Sequence, residues 1–101
     1  MSSSKFVRVM STKLKKATID EAAAEWLTHL APFKKVGMER AYMFVDRETG
    51  AYLSVSIWES RDAQANNSSS PAQVAGREAM TKKYFEAPPT PATFELVAAV
   101  E

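Results

Sequence analysis

The sequence predicts an α+β domain in which one four-stranded antiparallel sheet carries its helices on a single face. Three observations predict it. The stretch Ala51–Trp58 alternates without interruption: Ala51, Leu53, Val55 and Ile57 point one way, and Tyr52, Ser54, Ser56 and Trp58 the other. Ile19, Ala22, Ala23, Trp26, Leu27 and Leu30 recur instead at helical spacing. Short apolar runs bounded by turn residues lie before and after these segments, as strands would.

Taken in order, residues 6–10 form a valine-rich apolar run of strand length, followed by a polar connection over residues 13–16. Thr18 and Glu21 have capping-box spacing, so the Thr18 hydroxyl is expected to accept the N–H of Glu21. Asp20 and Glu21 suit the positive end of the helix that follows. Pro32 stops this helix and Gly37 marks the next turn. Met38–Val45 reads as a strand joined to Ala51–Trp58 by a polar turn ending in Gly50, which makes a hairpin. Ser60 caps another helix, residues 66–70 interrupt it, and Ser70-Pro71 restarts it with Gln73 completing a second capping box. The restarted helix runs over about residues 72–85. Pro88, Pro89 and Pro91 then impose an extended link, and residues 93–100 form the last strand.

The order β-α-β-β-α-β is the ferredoxin-like, split βαβ arrangement. Both faces of its strands carry large apolar groups: Phe6 and Met10 against Val7 and Val9, Tyr42 and Phe44 against Met43 and Val45. A sheet with one wet face alternates more cleanly. The face without helices is therefore expected to meet a second copy of the chain, giving a homodimer through sheet faces.

Composition narrows the chemistry. The chain has 101 residues, 46% hydrophobic and 25% charged, with no cysteine, one histidine and a net charge of +1. That length holds one domain, residues 1–101. Without cysteine there is no disulfide, thiolate nucleophile or thiolate metal site, and a single histidine excludes a multi-histidine metal site. No metal or cofactor is expected. No apolar run approaches the ~20 residues of a membrane span, and residues 1–5 lack a signal-peptide core, so the chain is expected to be cytoplasmic and away from membranes. The near-neutral charge and the lack of an aromatic-rich strand argue against nucleic acid. Only basic groups, Lys5 to Lys16, precede Asp20. They either form a solvated lysine-rich loop, attract an acidic end of a partner subunit, or guide an anionic ligand.

The stretch from Tyr52 to Ala63, with Trp58-Glu59-Ser60 at its strand-to-helix junction and a Ser70-Pro71 step interrupting the helix beyond, resembles the antibiotic biosynthesis monooxygenase family. The resemblance spans nearly the whole chain in element order and length. It implies a dimeric α/β barrel whose protomers each hold a pocket between their own helices and sheet. It also implies an activity: small cofactor-independent monooxygenases of this family oxidise aromatic polyketide-type or quinol compounds with O₂. A haem-degrading branch exists too. Where members often carry His on the interrupted helix, this chain has Asn66, Asn67 and Ala72, so no axial ligand stands there and haem is not expected.

Oxidation without metal or flavin needs an apolar, water-poor pocket and a base or anion stabiliser. Arg77 shares a mixed stripe with Val74, Thr81, Tyr84 and Phe85. It either stabilises a substrate enolate or snorkels to solvent. Asn66 and Asn67 orient a carbonyl or a water, or simply form the helix break. Arg77, Asn67 and Asn66 are thus the catalytic candidates. Trp58, Tyr84, Thr81, Tyr52 and His29 are the substrate-binding ones. His29, at the edge of the first helix's apolar stripe, is the one side chain with an ordinary pKa near neutrality and so a possible base. Arg8 and Arg40 are charges on apolar strands that either enter the pocket or pair across the sheet with Glu95 or Glu39, and pairing is the preferred reading. Ser54 and Ser56, small residues in mid-strand, make room for a ligand or a helix side chain. The expected activity is oxidation of a small aromatic or quinol-type molecule with O₂. The other reading is a non-catalytic, small-ligand-binding or stress-related dimer of the same fold.

Overall fold

In a computed structural model that describes residues 4–101, the alternating segment becomes β3 (Ala51–Trp58), an interior strand. It pairs antiparallel with β1 (Phe6–Lys13) on one side and β2 (Met38–Val45) on the other. The fourth strand, β4 (Thr90–Glu95), pairs with the free side of β1, and the order across the sheet is β2-β3-β1-β4. Helices α1 (Ile19–Leu30), α2 (Arg61–Ser68) and α3 (Pro71–Lys83) complete the ferredoxin-like order.

The two interior registers sort the side chains. Tyr52, Ser54, Ser56 and Trp58 are buried beneath the helices, beside Thr12, Met10, Arg8 and Phe6 of β1. Val55 lies between Val9 and Tyr42, and Leu53 between Ser11 and Phe44, on the face no helix covers. Tyr42, Phe44, Leu53 and Phe94 are exposed there. The hairpin between β2 and β3 closes on Asp46, whose Oδ1 accepts the N–H of Glu48 at 2.9 Å, and on Gly50. Gly50 sits at φ 83°, where an added Cβ would lie 2.6 Å from the Leu14 carbonyl oxygen. Only glycine tolerates both.

Four expectations need correction. The Thr18 hydroxyl does not cap α1; it donates to the Lys15 carbonyl at 2.7 Å, inside a 3-10 turn over Lys16–Thr18 that leads into the helix. The α-helix stops at Leu30, ahead of Pro32, as read, and the chain goes on as a 3-10 segment, Ala31–Val36, that buries Phe33 before Gly37 turns it at φ 107°. The first strand runs on to Lys13, because β3 supplies partners as far as Ala51. The last strand starts earlier and ends earlier than residues 93–100. Pro91 is tolerated because β4 is an edge strand, and pairing stops at Phe6–Glu95 because β1 begins there. The Ser60 and Ser70 hydroxyls cap as read, accepting the N–H groups of Ala63 at 3.1 Å and Gln73 at 3.2 Å, but Gln73 does not complete a box: the Ser70 N–H donates to the Asn67 carbonyl at 3.0 Å instead.

Beneath the helices the core falls into two clusters. Leu14, Ile19, Ala22, Trp26, Tyr52, Met80, Tyr84 and Phe85 form the larger; Phe33, Met38 and Trp58 form the smaller. Two mid-strand serines seat the indoles of both. Trp26 Nε1–H donates to Ser54 Oγ at 3.0 Å, and Trp58 Nε1–H to Ser56 Oγ at 2.8 Å. A buried donor that loses its acceptor costs about 1–3 kcal/mol. Ser54→Ala should therefore lower the unfolding free energy by an amount in that range, read as a lower urea midpoint with an unchanged slope. An unaltered midpoint would show that the Trp26 indole is satisfied elsewhere.

Candidate functional site

The space between the two clusters is not filled. A cavity of about 50 Å³ lies there, bounded by β1 and β3 below and by α1, α2 and α3 above. That is room for a few water-sized groups. It is well below the ~300–1,000 Å³ of typical small-molecule pockets, so a ring-sized guest enters only as wall side chains swing aside. Five aromatic rings line it: Trp26, Phe33, Tyr52, Trp58 and Phe85. Among them stand polar groups from four elements: Arg8 on β1, His29 on α1, Asn67 on α2, and Gln73 and Arg77 on α3. Among the described residues no aspartate or glutamate lines the cavity.

Each polar group arrives for a local reason. Arg8 occupies a helix-facing position of β1, flanked by Ser56 and Thr93, so the pleat turns it inward. Its Nε–H is buried with no acceptor. Burial and the neighbouring Arg77 charge hold its pKa below the ordinary value. Asn67 is buried on the last turn of α2, where the helix breaks toward Ser70. Gln73 has its backbone N–H on the Ser70 cap, which leaves its side chain to turn inward; its Oε1 is buried with no donor.

His29 reaches the cavity across Gly76. A Cβ at Gly76 would collide with the imidazole ring, so the missing side chain on α3 is what lets α1 lay its histidine there. Phe33 meets the same ring edge-on, with centroids 5.2 Å apart. Burial lowers the His29 pKa, and Arg77 adds to this; the neighbouring Gln73 amide and the Glu25 charge oppose it. The net direction is down from 6.5, so the imidazole is mainly neutral at pH 7. Burial pushes the Tyr52 phenol up to about 12, so it stays protonated as a donor.

No protein-family model matches the sequence, and no curated protein matches it either. Solved structures do. A monooxygenase from the gene ActVA-Orf6 of Streptomyces coelicolor, solved with the ligand nanaomycin D, superposes with a TM-score of 0.79 at 22% identity, over 97% of this chain and 92% of that one. A Caulobacter crescentus protein provisionally described as an antibiotic biosynthesis monooxygenase gives 0.77 at 19% identity, over 95% and 92%. SnoaB, a cofactor-independent oxygenase from Streptomyces nogalater, gives 0.69 at 14% identity, over 98% and 97%. The chain has the fold of the antibiotic biosynthesis monooxygenases.

Within this monooxygenase fold, the cavity gathers Arg77, Asn67, Trp58, Tyr52 and His29 from the sequence-predicted set. It leaves out three others. Asn66 is exposed on α2, beside the buried Asn67. Thr81 is one turn beyond Arg77 and donates its hydroxyl to the Arg77 carbonyl at 2.7 Å. Tyr84 lies in the larger cluster, with its hydroxyl donating to Glu25 Oε1 at 3.0 Å. Tyr84 follows the end of α3 with φ −125°, so the helical stripe that grouped it with Arg77 does not extend to it. Arg8 is not a cross-strand ion-pair partner: Glu39 pairs with Lys5, and among the described residues no carboxylate pairs with Arg8. Sequence reasoning missed Gln73, taken for a cap, and Gly76. A lone glycine inside a helical pattern was the available signal for the latter.

The His29 direction makes a pH prediction. Its pKa is depressed in the folded chain, so between that value and about 6.5 the unfolded chain binds more protons. Its neutral form is fully compatible with the fold above that window, and stability falls as pH drops through it. Denaturant titrations from pH 7.5 to 5 should show this loss, and His29→Gln should reduce its slope. Equal slopes in both proteins would place the titration elsewhere.

Proposed function

We propose that the chain is a small cofactor-independent monooxygenase that oxidises an electron-rich aromatic or quinol-type molecule with O₂ in the cavity between helices and sheet, and that it belongs to the antibiotic biosynthesis monooxygenase family. The observation that carries this reading is the convergence of one mainly neutral histidine and two guanidinium groups without carboxylate partners in a ring-lined, buried cavity. The shared fold supports it, as does the ligand nanaomycin D in the Streptomyces coelicolor structure.

The chemistry follows from those groups. For an anthrone-type substrate, His29 takes a proton from the ring methylene, and the resulting charge spreads onto the substrate oxygen. Arg77 stabilises that oxyanion, an effect that is stronger where water is excluded. The carbanion gives its electrons to O₂, and a carbon–oxygen bond forms. The hydroperoxide then loses water, with the O–O bond breaking, and leaves a quinone carbonyl. One oxygen atom stays on carbon and the other departs as water, so no external reductant is required.

The expected result is oxygen uptake with anthrone or a quinol in air-saturated buffer, reduced at least about tenfold in His29→Gln and Arg77→Ala. No uptake with either compound overturns the reading. The small cavity, walled by Trp58, Met80 and Phe85, favours a second reading, binding without turnover. Probe binding without oxygen uptake would decide for it.

We also infer that the chain works as a homodimer through the open sheet face. Tyr42, Phe44 and Leu53 are exposed apolar neighbours on this face, and Phe94 is exposed on its other edge, as apolar groups at an interface are. Val97 and Val100 beyond β4 are exposed too. Sedimentation should give a dimer at micromolar concentration and a shift toward monomer in Phe44→Glu. A stable wild-type monomer would refute the assignment.

A further inference from the structure

The cavity holds two positive side chains, no negative one, and two buried polar atoms that the protein itself does not satisfy. Native proteins rarely leave such atoms unpaired. Here both belong to the same cavity, and their types differ: Arg8 Nε–H needs an acceptor and Gln73 Oε1 needs a donor. Gln73 is only 9% exposed, so solvent does not readily serve it.

An uncompensated guanidinium in a partly dry site is costly, and a second one beside it adds repulsion. Arg77 is close enough to bear on the charge of both Arg8 and His29. No carboxylate lines the cavity to balance the pair. Elsewhere among the described residues three cations pair with carboxylates: Lys5 with Glu39, Arg47 with Asp20, Lys83 with Glu25. The guest that completes the cavity therefore brings an anionic group for the two arginines, a hydroxyl donor for Gln73, and a flat body for the ring-lined walls.

We propose that the natural ligand is a hydroxylated aromatic acid, with its carboxylate held by Arg8 and Arg77 and a hydroxyl donating to Gln73. This deepens the reading of the same cavity as a small-molecule site. It assigns Arg8 to recognition: Arg8 selects anionic over neutral ligands, and Arg77 serves both binding and the oxyanion.

The test compares 4-hydroxybenzoate with 4-hydroxybenzamide, which have nearly the same shape and differ by one charge. Calorimetry on the full chain should show the acid binding about tenfold or more tightly, as expected for charge-assisted hydrogen bonds. Rising salt should shrink that preference. Arg8→Gln should bring the acid-to-amide ratio below about threefold. Because this variant can fail to fold, a second measurement uses the unmodified protein. His29 is the only histidine, so its imidazole resonance is readily followed by NMR. The acid should raise the His29 pKa by offsetting the Arg77 charge, and the amide should not.

Equal affinity for acid and amide overturns the inference and leaves the oxygenase reading intact. So does an unmoved His29 titration with the acid bound. If neither compound binds at millimolar concentration, the inference falls as well. Tight acid binding in a protein that consumes no oxygen with any anthrone or quinol has the opposite meaning: the anion site stands and the oxygenase reading fails.

Discussion

Two serines in the middle of β3 set the terms for everything above the sheet. Between Tyr52 and Trp58, large side chains at positions 54 and 56 would close the core. Ser54 and Ser56 instead stay low and present hydroxyl oxygens to the Trp26 and Trp58 indoles. Each indole is thus fixed by its N–H as well as by packing, as buried tryptophans generally require. Their separate anchoring also divides the core into two clusters. The cavity lies between the two clusters, and aromatic rings form much of its wall.

Polar groups can be kept in such a place only under tight geometric control. His29 depends on Gly76, since any side chain there would push the ring off α3. Gln73 depends on Ser70, which takes the backbone N–H at the start of α3 and frees the amide side chain to face inward. Arg8 depends on the pleat of β1. The low-dielectric surroundings then act on the chemistry: they keep the imidazole mainly neutral, keep the Tyr52 phenol protonated, and strengthen any interaction between the guanidinium groups and an oxyanion. A mainly neutral imidazole and two guanidinium groups thereby stand together in one cavity.

The other face of the sheet follows from the same period-two logic. Every residue that β3 turns toward the helices has a neighbour pointing away, and those neighbours are Leu53, Val55 and Ile57. Among the described residues no helix lies over them, and a single core of about 100 residues gains from added burial. The proposed second copy would cover the face while leaving each cavity within its own subunit.

The sequence by itself determined the elements, their order and the face each strand residue occupies. Alternation in Ala51–Trp58 and helical spacing from Ile19 to Leu30 report local geometry, which neighbouring residues set among themselves. The caps at Ser60 and Ser70 were legible for the same reason. Where an element ends proved less local: β4 stops at Glu95 because β1 starts at Phe6, and Thr18 serves a 3-10 turn that its spacing to Glu21 does not announce. The site was legible in part. His29, Asn67, Arg77, Tyr52 and Trp58 stood out by residue type, whereas Arg8 was read as an ion-pair partner and Tyr84 as a pocket residue. Only the tertiary structure decided these, because they turn on distances between elements far apart in the chain. Arg8 lacks a partner because no carboxylate of another element reaches it. His29 enters the cavity because α1 and α3 approach at Gly76, and no pattern within either helix encodes that meeting.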